Sequence, residues 1–398
     1  MDKLYISSYT KHESLAHIPK GKCAKSPLLF LGKSIDSCMI YNPAFMIKHP
    51  KTNSMYDTFY ICLESIQTGD IAVVSNNKLK QIVTSGGKSS CFLAFDPTLK
   101  YMININYWDS SISIHNINTE NHLLSEPIYI FRHNECIKPV GLESHLKNRQ
   151  SESHYHSALF VEIRNNTYLL VPDLGLDKIH IFNFIYGDND IPELILESSI
   201  PLPPGSGPRY IVRKNRFIYV VNELNSTISI FEIFGPPQIS NNSYLCKTTL
   251  CKTTLSLPNS SNINPEFICG PSGNERNIRK PKPFLRHRNT ISTLPPSVSN
   301  ENNKCGGIAI HKTQPYLLVS NRGHDSISVF KFKDSDIQII NVFSTLGITP
   351  RHFTFDDNCS NIYVANQDSD NVSRFSFKNG MAQLVESIHV NSPNFILT

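Results

Sequence analysis

The sequence predicts an all-β, seven-bladed β-propeller. A hairpin motif recurs along the chain, no stretch shows the 3.6-residue apolar period of a helical repeat, and both ends read as strands. The motif is an apolar strand closed by Asn or Asp, a polar turn, and a second strand whose first Ile or Val stands six residues after that Asn or Asp. Five copies are clear: Tyr101–Asn106 with Ile112, Tyr168–Asp173 with Ile179, Ile218–Asn222 with Ile228, Tyr316–Asn321 with Ile327, and Ile362–Asn366 with Val372. Weaker copies at Leu4–Thr10 and Phe59–Glu64 bring the number to seven.

Each copy reads as a hairpin, because β-branched and aromatic residues alternate on either side of a turn rich in Asn, Asp, Gly and Ser. Most copies lie about 45 to 65 residues apart, the length of a four-stranded blade. Strand-like sequence at both ends, Leu4–Tyr9 and Phe395–Leu397, suggests that the two share one blade and so hide the edges of the ring. The whole chain of 398 residues is then a single domain. One gap is too long for a blade connection: about 235–304, rich in Pro, Asn and Ser, with Cys-Lys-Thr-Thr-Leu in tandem at 246–250 and 251–255. It is expected to be a polar, partly disordered insertion between the fifth and sixth repeats, with blade strands near its edges.

With 40% hydrophobic residues, 16 Tyr and 22 Phe, the chain has the material for a packed core. Met1–Thr10 carries no apolar stretch of signal-peptide type, and no run approaches the roughly 18 apolar residues of a membrane span. A cytoplasmic protein with no membrane contact is expected. The ten cysteines stand singly, without a Cys-x-x-Cys pair, and Cys62, Cys91 and Cys359 read as buried or loop thiols. Neither a metal nor another cofactor is expected.

The formal net charge of +5 is local. Arg276, Arg279, Lys280, Lys282, Arg286 and Arg288 follow one another without an acid between, and the rest of the chain is close to neutral. That argues against nucleic acid. The run Arg276–Arg288 could dock an acidic partner, although a solvated charge run is the simpler reading.

The residue just after each strand-ending Asn or Asp is free to vary, and so is the start of the strand before it. Adjacent antiparallel strands place both sets on one rim of the ring. His154, His156, Arg209, Glu223, Arg322, Arg351 and Gln367 fall at these positions. Three arginines aimed at one concave site invite carboxylate or phosphate, while Glu and His supply acid–base capacity.

Ser153-His-Tyr-His156, Val171–Asp177, Gly207-Pro-Arg209, Val221–Asn225 and Ser320–Gly323 resemble, in that order, the signature segments of the seven-bladed lactonase family. That family includes propeller-type 6-phosphogluconolactonases and fungal carboxy-muconate lactonizing enzymes. The resemblance implies catalytic roles for the His154/His156 pair, Arg209, Glu223 and Arg322, with Arg351 and Gln367 left as substrate-binding positions. One departure is Tyr155, which stands where the family usually has proline.

The resemblance further implies metal-independent hydrolysis of a small anionic sugar-acid lactone, 6-phosphogluconolactone of the pentose phosphate pathway first among them. Glu223 or a histidine would take the proton. The alternatives are a carboxy-muconate cycloisomerase using the same side chains and a non-catalytic propeller scaffold.

Overall fold

The five clear repeats form the second and third strands of five sheets, in one common register. Asn106 pairs with Ser111, Asp173 with Lys178, Asn222 with Thr227, Asn321 with Ser326 and Asn366 with Asn371. The polar residue that marks the repeat is fully buried in each case and has a structural task. Asn321 Nδ2 donates to Ser326 Oγ at 3.2 Å and Ser328 Oγ at 2.9 Å, and Asn222 Nδ2 to Thr227 Oγ1 at 2.8 Å and Ser229 Oγ at 2.9 Å. Asp173 instead meets the His180 imidazole at 3.2 Å. A turn pinned from inside the sheet leaves the following residue free for other work.

The computed structural model describes residues 4–30, 33–35, 39–51, 57–133, 149–163, 165–187, 191–234 and 284–398. Their strands make seven four-stranded antiparallel sheets. Blades 2 to 7 are continuous in the chain, within 43–84, 90–132, 159–201, 208–292, 304–344 and 350–389. Blade 1 joins the two ends: Pro393–Leu397 is its first strand, followed by Tyr5–Ser8, Leu28–Phe30 and Lys33–Ile35. Tyr5 pairs with Leu397 and Ile6 with Ile396, as the strand-like ends suggest.

First strands lie inside and pack on one another around the channel, for example Pro43–Lys48 on Ser90–Phe95 and Pro350–Phe355 on Pro393–Leu397. Fourth strands lie outside, and Met381–His389 is largely exposed. Between blades sit buried Ile, Val, Leu and Phe, each worth roughly 1.5–3 kcal/mol when removed from water. Apolar clusters cover every junction: Ile6 and Ile396 with Tyr363 and Ala365 close blade 1 on blade 7, and Ile103 and Ile105 with Leu169 and Val171 join blades 3 and 4. The ring is therefore shut by packing as well as by strand pairing.

Part of the stretch expected as an insertion, about 235–304, supplies a blade strand. Leu285–Ser292 is the outer strand of blade 5, paired with Thr227–Ile233, and Lys304 already opens blade 6. This outer strand is polar because most of it faces solvent. Arg286 and Arg288, expected in a free basic run, are engaged on the blade: Arg288 Nε lies 3.5 Å from Glu232, and Arg286 stacks 3.7 Å from the Phe234 ring centre. Residues 235–283, with the remainder of the basic run, lie outside the described residues. Among those described, no helix is long and apolar enough to cross a membrane.

Candidate functional site

One irregularity recurs at the start of the inner strand. Between Pro208↔Asn222 and Tyr210↔Val221 an extra residue, Arg209, is bulged out of the ladder. The same step frees Ala44, Cys91, Arg351 and Asn394 in blades 2, 3, 7 and 1. In blade 4 an isolated bridge, Tyr155↔Asp173, puts His156 at the corresponding place. A bulge re-aims a side chain without disturbing the rest of the strand. These six residues all line one cavity of about 370 Å³ at the mouth of the channel.

The strand ends contribute the rest of the wall. Glu223 and Gln367 follow the buried Asn222 and Asn366, and Arg322 ends its strand opposite Lys304. The cavity thus gathers His156, Arg209, Glu223, Arg322, Arg351 and Gln367 from the residues expected on the rim. His154 is not among the lining residues. Its ring stacks on Tyr107 at 4.5 Å, with Nδ1 3.2 Å from the Tyr107 carbonyl oxygen, so it supports the wall from behind.

Glu223 is the electrostatic centre, only 1% exposed. Its Oε1 accepts from Arg149 at 2.6 Å and its Oε2 from Arg209 at 2.5 Å, while Arg322, which donates to the Cys305 carbonyl oxygen, forms an ion pair with Oε2 at 3.0 Å. Burial alone would raise its pKa, but Arg149, Arg322, Arg209 and His156 together hold the carboxyl well below the usual range. Such a carboxylate stays ionised and is a weak proton acceptor. His156 is driven the other way: burial first, then the Arg209 cation, pushes its imidazole well below the ordinary value, with Glu223 opposing. It is therefore neutral, and its buried Nδ1 has no hydrogen-bond partner among the described residues. A neutral ring with an open nitrogen can accept a proton.

Arg351 lies 3.7 Å from Glu64 Oε2 and 5.3 Å from the Tyr9 ring centre, while the Tyr9 hydroxyl donates to the same Glu64 oxygen at 2.6 Å. Gln367 is buried with Oε1 unpartnered among the described residues. Sequence reasoning missed Arg149, Lys304, Glu64 and His17, all of which line the cavity. Lys304 was within reach of the strand-start rule, since it faces Arg322 in the ladder, and Glu64 stands at a strand end. Arg149 and His17 sit on loops, which no periodicity marks. No group of three or more His, Cys, Asp or Glu side chains among the described residues is arranged to hold a metal ion.

The family model described as lactonase, seven-bladed β-propeller, matches residues 3–240 and 278–398. A Bacillus subtilis protein named 6-phosphogluconolactonase is 25% identical over 296 residues, 73% of this chain and 66% of that protein. A Formosa agariphila protein of the same name is 25% identical over 350 residues, 84% of this chain and 81% of that protein. The solved structure of the Pseudomonas aeruginosa periplasmic gluconolactonase superposes over 100% of this chain and 98% of its own, with a TM-score of 0.72 and 18% identity.

Proposed function

Since the chain belongs to the seven-bladed β-propeller lactonase family, we propose that it hydrolyses a small anionic sugar-acid lactone, with 6-phosphogluconolactone the leading candidate. The observation that carries the reading is the pairing, in one cavity, of a neutral buried imidazole with arginines fixed around a carboxylate. The cavity volume of about 370 Å³ falls within the range of roughly 300–1,000 Å³ usual for small-molecule sites.

In this scheme His156 takes a proton from water as its oxygen adds to the lactone carbonyl. Arg209 and Arg322, held in place by Glu223, stabilise the developing oxyanion and the substrate's negative charge. The ring C–O bond then breaks, the alkoxide leaves with the proton from the imidazolium, and a hydroxy acid results. Arg351 and Gln367 contact the remainder of the substrate. This assigns the proton to a histidine and makes Glu223 the counter-ion that orients the arginines.

The test is acid release from freshly made 6-phosphogluconolactone, measured against its spontaneous hydrolysis. Wild type should accelerate it, and His156→Gln should lower turnover by roughly 10²–10⁴-fold. The wild-type rate should hold through pH 6.5 and decline only at more acid pH, because the His156 pKa lies below its ordinary value and protonation there removes the base. A His156→Gln enzyme with full activity would overturn the assignment.

A further inference from the structure

In blade 5 the second and third strands are joined by a tight turn from Asn222 to Thr227, but in blade 1 the same connection, 9–27, is a long strap. Asn42 Oδ1 accepts from the Thr10 and Lys11 N–H groups at 2.9 and 2.8 Å. On the far side Asp368 Oδ1 accepts from Lys20 N–H at 2.9 Å and Asp370 Oδ1 from Lys22 N–H at 2.8 Å. The strap is thus tied down at both ends by neighbouring blades 2 and 7. Gly21 makes the closest approach, since a Cβ there would stand 2.2 Å from the Gln367 carbonyl oxygen. Between the anchors, Ala16–Pro19 borders the cavity.

Two basic side chains at this border, the neutral His17 imidazole and the Lys304 ammonium, have no carboxylate partner among the described residues. Neither the His17 ring nor the Lys304 ammonium makes a hydrogen bond or ion pair with a described residue, although both line the cavity with Arg149. Glu223 is already committed to three arginines, while Glu64 and Asp368 face Arg351 and the strap backbone. An ammonium and an imidazole without carboxylate partners, beside a fixed guanidinium at the border of a pocket, favour an anionic ligand there. We propose that His17, Lys304 and Arg149 form an outer subsite for a phosphomonoester dianion carried by the substrate. The inner arginines then serve the reacting carbonyl. The inference rests on the sugar-acid lactone reading only for the rest of the substrate; the subsite itself is defined by phosphate.

Linkage gives the subsite a signature. Partial burial, then the Arg149 cation, holds the free His17 imidazole down at about 4, with Lys304 and Arg351 adding to that effect and Glu223 opposing it. A bound dianion reverses the balance and favours the imidazolium. Binding of the dianion therefore takes up a proton at His17 at pH values above about 4, and the His17 contribution to affinity grows as pH falls toward about 6, below which the phosphomonoester itself loses its second charge.

Trp108, the single tryptophan, lines the same cavity and reports occupancy by fluorescence without any need for turnover. Inorganic phosphate, 6-phosphogluconate and gluconate are titrated into wild type, Lys304→Gln and His17→Gln. Wild type should prefer 6-phosphogluconate to gluconate by about tenfold or more, and Lys304→Gln should remove most of that preference. Calorimetry at pH 6 in buffers of different ionisation heat should show greater proton uptake by wild type than by His17→Gln. The phosphate's own protons are common to both proteins and cancel in that difference. Phosphate binding that both variants retain at wild-type strength, or that wild type lacks, overturns the subsite. Failure of lactone hydrolysis with phosphate binding intact and lost in Lys304→Gln would instead sink the lactonase reading and leave the subsite standing.

Discussion

Glu223 shows how a residue recognised from its place in the chain can have a different task from the one first assigned. Strand-end position and family resemblance both point to it, and neither reveals that three guanidinium groups converge on it. A buried carboxylate so surrounded is the keystone of a charge cluster. Removing one partner of a buried ion pair typically costs about 3–5 kcal/mol, because the other charges stay buried without compensation. Glu223→Gln should therefore lower the melting temperature and impair substrate binding and turnover together. The check is thermal unfolding run beside KM and kcat, and a normal melting temperature with a pure kcat defect would restore the general-base role.

The blade was the most legible element in the sequence. The offset from Asn to Ile recorded a pinned turn, and the Asn side chains that made the signal visible are buried and bonded to hydroxyl groups of the third strand. Asn321→Ala, which removes the amide that donates to Ser326 and Ser328, should cost about 1–3 kcal/mol, read as a shift in the denaturant midpoint. A change within experimental error would demote the pin to an ornament of the turn. The rim rule found most of the site because strand starts and strand ends do meet there, yet it did not foresee the bulge that turns Arg209 and Arg351 inward. A bulge is a change of backbone count between two paired strands, and one strand's sequence does not contain its partner. Arg149 and His17 were missed for a related reason: a loop's path is set by its anchors, here Asn42, Asp368 and Asp370 for the strap, and these lie far away in sequence.

At the scale of the molecule, Phe234 N–H bonds to the Phe284 carbonyl oxygen, so the two ends of the long intervening segment lie side by side. A short turn can span that distance, and loop-closure entropy changes slowly with length. Replacing 236–282 by a four-residue Gly/Asn turn should keep the ring folded and its melting temperature within a few degrees. A deletion carried on to 300 would remove Leu285–Ser292 and bare the Thr227–Ile233 edge, and should yield aggregate. Soluble, folded protein from the longer deletion would contradict the strand assignment.

The strand that closes blade 1 has a consequence for how the molecule is made on a ribosome. Pro393–Leu397 forms the inner wall between blades 7 and 2, and Asn394 and Phe395 face the cavity. Until that segment emerges, a nascent chain holds six whole blades as an open arc, with an unpaired strand edge on Tyr5–Ser8 and a gap where substrate would sit. The cavity therefore stays incomplete until Pro393–Leu397 has paired with Tyr5–Ser8.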